Sequence, residues 1–361
     1  MMTTVLPKTP TAPAPPAAEA VVARLRAGRR SHNRRTAVVA AVCTVLLLAL
    51  TAAALLLGGV GKVDPADVLP AAFGLRDGLA DYMIFQIRMP RAMAALLSGA
   101  LFGLAGALYQ RLIRNPLATP DIVGISAGAG AGATTVLLFA PGVFALGAPV
   151  AAVAGSFVLL AAVHALSWHR GVDTYRLVLV GIGLSAVCTA YTNYLFTVAD
   201  ENSIAIAMRW LIGSTAGADW DGVTTLAAGL AVCLTGAALL HRPLTGLSLG
   251  DQLATGLGTR VTPARVTALL VGAAAAALAT SVVGPIGFVS LVSGPIAARL
   301  VGGDRAIALA PLIGSVIVVG ADVLAQNAPL ISPVPTGVLT ALLGAPYFVW
   351  LILRRRQGAV T

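Results

Sequence analysis

The chain has 361 residues, of which 58% are hydrophobic and only 11% charged, against roughly 25% charged in an average soluble domain. That charge is too sparse to cover a soluble surface of this size, so the composition predicts an all-α integral membrane protein and excludes disordered, collagen-like and disulfide-scaffold classes. The formal net charge is +10, but Lys8, Arg24, Arg26, Arg29, Arg30, Arg34 and Arg35 against Glu19 place +6 of it before residue 36, and Arg354, Arg355 and Arg356 place a further +3 at the other end. Basic tails flanking apolar segments are a positive-inside pattern, not a nucleic-acid footprint, and they predict both termini in the cytoplasm.

Residues 1–35, rich in Pro and Ala and then in Arg, read as a disordered basic cytosolic tail. The apolar run behind them starts too late and is too long for a cleaved signal peptide. A transmembrane domain is expected over 36–355, with 356–361 as a cytosolic tail. Its ten spans are predicted at 36–57, 89–109, 122–139, 148–168, 177–198, 223–241, 266–283, 288–300, 306–326 and 336–353. A polar stretch, 58–88, separates the first two and carries Lys62, Asp64, Asp67, Arg76, Asp77 and Asp81. An acidic loop with Asp200, Glu201, Asp219 and Asp221 follows the fifth span, and a basic loop with Arg242, Arg260 and Arg265 follows the sixth. Pro285 and Gly287 break the helix before the short eighth. With ten crossings, 19 of the 24 basic residues fall on the cytoplasmic side, and only Lys62, Arg76, Arg88, Arg91 and Arg209 fall outside.

Gly99 and Gly103, and Gly124, Gly128 and Gly132, are spaced four apart, the spacing at which small residues let helix backbones approach closely in lipid. The glycines at 128 and 130 with Ala133 also fit a loose GxGxxA, but no strand precedes them, so a dinucleotide site is not expected. The only Gly-Lys pair, Gly61-Lys62, is followed by Val63, and Leu56 stands where a phosphate-binding loop needs its first glycine. ATP is therefore not expected to bind this chain through that loop. Cys43, Cys188 and Cys233 are dispersed, and of the four histidines only His164 and His169 lie close together, so neither a disulfide nor a metal site is expected. No cofactor is expected either. Asp322 is the one acid within a span. It reads as a cap or interhelical hydrogen bond, with an ion-coupling carboxylate as the alternative.

Four segments stand out in order. The first runs from Arg88-Met-Pro-Arg91 through Gly99–Gln110 to Arg114-Asn-Pro-Leu-Ala-Thr-Pro120 and Gly124-Ile-Ser-Ala-Gly128. The second is Trp210-Leu-Ile-Gly213 with Trp220, and the third is Leu249-Gly-Asp251 with Ala254, Leu257 and Gly258. The fourth is Gly284-Pro-Ile-Gly-Phe-Val289, followed by Ala321-Asp322, Pro335-Thr-Gly337 and Gly344-Ala-Pro-Tyr-Phe348. Over about residues 36–353 this order resembles the FecCD family, permease subunits of type II ABC importers for iron–siderophore complexes, haem and vitamin B12.

The resemblance implies a ten-helix permease that dimerises with a copy of itself or a related chain around a central path, in a bacterial plasma membrane. Partner ATPase subunits hydrolyse ATP on the cytoplasmic side, and a substrate-binding protein docks outside. Ferric siderophore is the cargo expected first, with vitamin B12 or haem as the alternative within the family and an ion-coupled secondary transporter as the alternative outside it. Residue by residue, Arg88 and Arg91 match docking positions. Asn115 and Leu117, with Thr174 and Tyr175, match an inner gate. Leu249, Gly250, Asp251, Ala254, Leu257 and Gly258 match the loop, about 242–265, that couples to the ATPase. Beside that match, Leu247–Arg260 reads as two short helices broken at Gly250 and Gly256, with Asp251 as a cap. Leu249, Leu253 and Leu257 would be oddly apolar for an inert loop. Gln326 and Ser332-Pro333 stand where the family often has Arg and Glu, so this part of the outer face is expected to dock differently. Trp210 and Trp220 read as interface-belt or vestibule residues.

Overall fold

The computed structural model describes residues 18–58, 64, 68, 70–71, 78–140, 144–168, 174–327 and 334–357. Expectations placed on Lys62, Asp67, Arg76, Asp77, His169, Ser332, Pro333 and the two chain ends fall outside these residues. No strand is present among the described residues. The helices are α1 (Ala18–Leu57), α2 (Leu79–Ile113, with a π-helical stretch over Tyr82–Arg88), α3 (Ile125–Phe139), α4 (Phe144–Ser167), α5 (Thr174–Val198) and α6 (Glu201–Ile212). They continue as α7 (Trp220–Ser248), α8 (Asp251–Gly256), α9 (Val261–Val283), α10 (Val289–Val301), α11 (Ala306–Asn327) and α12 (Thr336–Gln357). Among the described residues, α1, α2, α4, α5, α7, α9 and α11 contain stretches long and apolar enough to cross a bilayer, while α3, α10 and Thr336–Trp350 of α12 are shorter apolar helices. These ten match the ten expected spans one for one.

α2 is the axis of the bundle. It packs on α11, α9, α10 and α7, and nearly every residue from Ala92 to Tyr109 is buried or half-buried. Small residues make this possible. Gly99 and Gly103 face the backbones of Gly314 and Ala310 on α11, and Gly106 faces the Ser290 carbonyl on α10, each too close for a Cβ. A second seam joins α3 to α4, with Gly128 against Gly155 and Gly132 against Ala151. The four-residue glycine spacing thus does what it predicts, with one difference. Gly124 adopts φ 90° and caps the start of α3, so it serves a turn and not the seam. Polar side chains fill the remaining gaps in the axis. The Tyr109 hydroxyl donates to the Leu269 carbonyl (3.3 Å), and the Gln110 amide donates to those of Ser290 (3.2 Å) and Leu291 (3.1 Å).

Two helices are too short to span alone. α3 has 15 residues and α10 has 13, about 22 and 20 Å at 1.5 Å per residue, against a hydrocarbon core of about 30 Å. Each follows a non-α segment. A 3₁₀ turn, Pro120–Val123, precedes α3, and a turn with Phe288 at φ 67° precedes α10. Pro120 and Pro285 prevent helix from running through either segment.

Three local readings are corrected. Residues 18–35, expected as disordered tail, are the first turns of the 40-residue α1. Their Ala, Arg and Glu are strong helix formers, and Arg35 and Arg305 tie this end to the turn after α10 (Arg35 Nη2 to the Arg299 carbonyl, 3.3 Å; Arg305 Nη1 to Thr36 Oγ1, 3.1 Å). The acidic loop contains an amphipathic helix, α6. Asp200 caps it by accepting from the Ser203 N–H (2.9 Å), and Asp219 caps α7 by accepting from Gly222 (2.8 Å). The basic loop holds one short helix, α8, because α7 continues through Pro243 to Ser248.

Candidate functional site

The expected site residues gather at the two ends of α2. At its N-terminal end, Arg88 is buried, and its guanidinium donates to the Leu55 carbonyl (2.6 Å) at the end of α1. Arg91 lies one turn on and grips the buried Asp322 of α11 with a fork, Nε to both carboxylate oxygens (3.2 and 3.1 Å) and Nη2 to Oδ1 (2.9 Å). The same carboxylate accepts from Thr215 Oγ1 (2.6 Å), Thr336 Oγ1 (2.9 Å) and Gln326 Nε2 (2.7 Å). Asp322 is thus an interhelical hydrogen-bond hub joining α2, α11, α12 and the α6–α7 turn. A buried carboxylate is tolerated only when paired and fully hydrogen-bonded, and this one is both. Both arginines face inward here, toward α1 and α11.

Gln326, which breaks the family pattern, donates to the same hub. Thr215 had no sequence signal of its own, and Thr336 lay within the Pro335-Thr-Gly337 motif with no role assigned to it. A lone acid within a span predicts some partner, but threonine hydroxyls are too common to single out. The two tryptophans also turn inward. Trp220 Nε1 donates to the Phe85 carbonyl in the π-helical stretch (3.0 Å), with the two rings 5.2 Å apart. Trp210 packs on the buried alanines 129, 133 and 152.

At the other end of α2 the chain turns at Arg114, a non-glycine residue in the left-handed region (φ 55°, ψ 32°). Asn115 then folds the loop, its backbone N–H donating to the Gln110 carbonyl (3.1 Å) and its side-chain oxygen accepting from the Leu117 N–H (3.0 Å). The Asn115 side chain is exposed and that of Leu117 half-buried. The second expected gate pair opens α5, where Thr174 is the first helical residue and Tyr175 is exposed. The two pairs are linked through the 3₁₀ turn, on which α5 packs with Gly181 against Ile122 and Val123.

The α7–α9 connection lies beside this loop. Gly250 (φ 108°) and Gly258 (φ 81°) bracket α8 in conformations that side chains resist. Ala254 is fully buried and holds α8 against α7, while Leu249, Leu253 and Leu257 are 56%, 62% and 69% exposed. Leu253 lies on α8, and Leu249 and Leu257 flank it at the two ends. A groove of about 690 Å³ runs beside them between His241, Arg242, Arg260 and Pro263. Asp251 does not cap α8, whose N-cap is Gly250 with no side-chain bond. Its carboxylate instead accepts from Arg114 Nη2 (3.1 Å) and Arg265 Nη2 (2.8 Å). The sequence reading missed both arginines as partners of Asp251, because they lie 137 and 14 residues away.

A connected bundle of apolar helices, with two broken short helices, glycine seams and polar clusters at both ends of its central helix, is the architecture of a multi-pass membrane transport protein. A model of the FecCD transport family matches residues 45–354, and the chain belongs to that family of permeases of the bacterial plasma membrane. It is 37% identical over 293 residues to the Fe(3+)-citrate import system permease protein YfmE of Bacillus subtilis, covering 80% of this chain and 87% of that one. It is 33% identical over 304 residues to the ferric enterobactin transport system permease protein FepG of Escherichia coli, covering 84% and 92%. Among solved structures, an inward-facing conformation of a metal-chelate type ABC transporter superposes with a TM-score of 0.76 at 28% identity, over 88% of this chain and 99% of that one.

Proposed function

We propose that this chain is the membrane-spanning subunit of an ATP-driven importer of ferric siderophore complexes. It carries no catalytic step. Hydrolysis takes place in ATPase subunits on the cytoplasmic side, and a substrate-binding protein delivers cargo from outside. The observation that carries the reading is the exposed Leu253 of α8 with the exposed Leu249 and Leu257 at its two ends, next to Arg114 at the start of the gate loop. Three exposed leucines in one short connection need a partner to cover them, and the ATPase of an ABC importer supplies one. The names of the relatives, Fe(3+)-citrate and ferric enterobactin permeases, support the cargo class.

In this reading both termini are cytoplasmic, and Asn115, Leu117, Thr174 and Tyr175 form the inner gate. Leu249, Gly250, Asp251, Ala254, Leu257 and Gly258 build the ATPase coupling element. Arg88 and Arg91 serve docking by bracing the outer rim on which the binding protein sits. A second permease, identical or related, completes the path. α5 is the helix that supports this, because among its exposed Leu179, Ile182 and Val187 it also leaves Asn193 exposed along a span, and a carboxamide is costly against lipid.

The test is uptake of radiolabelled iron by proteoliposomes holding this chain, its ATPase and its binding protein, with a panel of siderophores and with cobalamin and haem alongside. Siderophore-bound iron entering only with ATP is the expected result. Cobalamin or haem uptake alone would replace the cargo, and uptake that follows an ion gradient and ignores ATP would overturn the mechanism.

A further inference from the structure

Arg114 belongs to no site residue set expected from the sequence, yet it is the residue at which the gate loop and the coupling helix meet. Its backbone ends α2 in the left-handed conformation and hands the chain directly to Asn115. Its guanidinium crosses to the α7–α8 junction, donating to the Leu247 carbonyl (2.6 Å) and to the Asp251 carboxylate (3.1 Å). Asp251 is the first residue of α8 and is held from the other side by Arg265 of α9. A second arm runs in parallel, with Arg111 Nη2 reaching Ser248 Oγ (3.5 Å).

We propose that Arg114 is a positioning residue that carries movement of the coupling helix α8 to the inner gate loop at Asn115–Leu117. This rests on the importer reading given above. Two features suit Arg114 to the role. Its Nη2 joins the two sides of the α7–α8 junction, the Leu247 carbonyl near the end of α7 and the Asp251 carboxylate that opens α8. When α8 shifts, the pull passes along this side chain to the φ/ψ pair that sets the direction of the gate loop. The pair is also wet, with side-chain exposures of 44% for Arg114 and 48% for Asp251. An ion pair shared with water adds little to stability, so it re-forms easily as the elements move. A contiguous hydrogen-bonded link between two elements, each able to shift, is the physical form such coupling takes.

The experiment replaces Arg114 in the complete complex of permease, ATPase and binding protein. Arg114→Gly keeps a residue that favours the left-handed turn and removes the tether. It is expected to leave assembly with the ATPase intact and to lower iron taken up per ATP hydrolysed by tenfold or more. Arg114→Lys, which retains the charge on a shorter reach, is expected to fall between it and the wild type. In the Arg114→Gly/Asp251→Asn double variant the loss should match the larger single loss instead of adding to it. Uptake per ATP unchanged in Arg114→Gly would overturn the proposal, as would unchanged uptake per ATP in Arg114→Asn, which tolerates the left-handed turn and is too short to reach Asp251, should the glycine variant fail to assemble. A wild-type complex that shows no ATP-dependent uptake would instead overturn the importer reading on which the proposal rests.

Discussion

At the scale of single residues, Asp322 carries the most consequence. Its carboxylate is buried, paired with Arg91 and bonded to three further donors. Removing one partner of a buried pair strands the other and typically costs about 3–5 kcal/mol. Asp322→Ala is expected to destabilise the purified permease by about that amount in thermal or denaturant unfolding. In the Arg91→Met/Asp322→Leu double variant most of the loss should return, and a coupling energy near zero in that cycle would contradict the geometry. Gly106 makes the complementary case from packing. A Cβ there would overlap the Ser290 carbonyl, whereas one at Gly183 meets nothing. The opposing atom is backbone and cannot rotate away, so Gly106→Ala should cost at least about 1–3 kcal/mol of overpacking, more than the ~1 kcal/mol that alanine gains in helix propensity. Gly183→Ala, measured the same way, should be neutral or slightly stabilising. The motif spacing marks Gly99 and Gly103 as seam residues, but Gly106 becomes critical only because α10 crosses there.

At the scale of elements, helix ends and short helices respond to conditions. The backbone N–H of Ser203 bonds to Asp200 and holds its carboxyl below the usual carboxylate range. A depressed value stabilises the folded helix end above the unfolded pKa of about 3.9 and is lost as pH falls through the folded one. The first amides of α6 should therefore exchange faster in acid, after correction for intrinsic rates. Asp200→Asn, which caps without titrating, should remove that pH dependence. α8 is governed by burial. A fully buried leucine contributes about 1.5–3 kcal/mol, so Leu253→Ser is expected to weaken co-purification of the ATPase by about ten- to hundredfold while leaving the fold of the permease intact. Undiminished association would show that the exposed leucines face something else.

At the scale of the whole molecule, α5 and α7 both expose apolar and threonine side chains along their spans, and α5 alone adds a carboxamide, Asn193. α7 presents Val232, Leu234 and Leu239, an apolar surface suited to lipid. α5 presents Thr189, Asn193 and Thr197 among its tyrosines. In a background lacking Cys43, Cys188 and Cys233, Asn193→Cys should react with a membrane-impermeant thiol reagent in the assembled transporter and be protected by siderophore. Leu239→Cys should not react. Equal reactivity would remove α5 from the translocation path.

The sequence by itself determined the class, the ten apolar helices and the family. Each of these rests on composition, on charge placement or on motifs a few residues long, and such local signals survive without coordinates. It also marked both ends of α2, since Arg88-Met-Pro-Arg91 and Arg114–Pro120 bracket one span. Helix extent was less legible. α1 runs past its apolar stretch because helix propensity continues where hydropathy stops. α7 runs past its own against propensity, through Pro243 and Gly246, with Leu244 and Leu247 buried, and α6 was hidden because its caps, Asp200 and Asp219, read as plain acidity. Only the tertiary structure decided what the charges do. The partners of Asp322 lie 231, 107 and 14 residues away for Arg91, Thr215 and Thr336, and those of Asp251 lie 137 and 14 residues away. Pairings at such separations leave no periodicity to read, because they are fixed by which helices the glycine seams allow to touch.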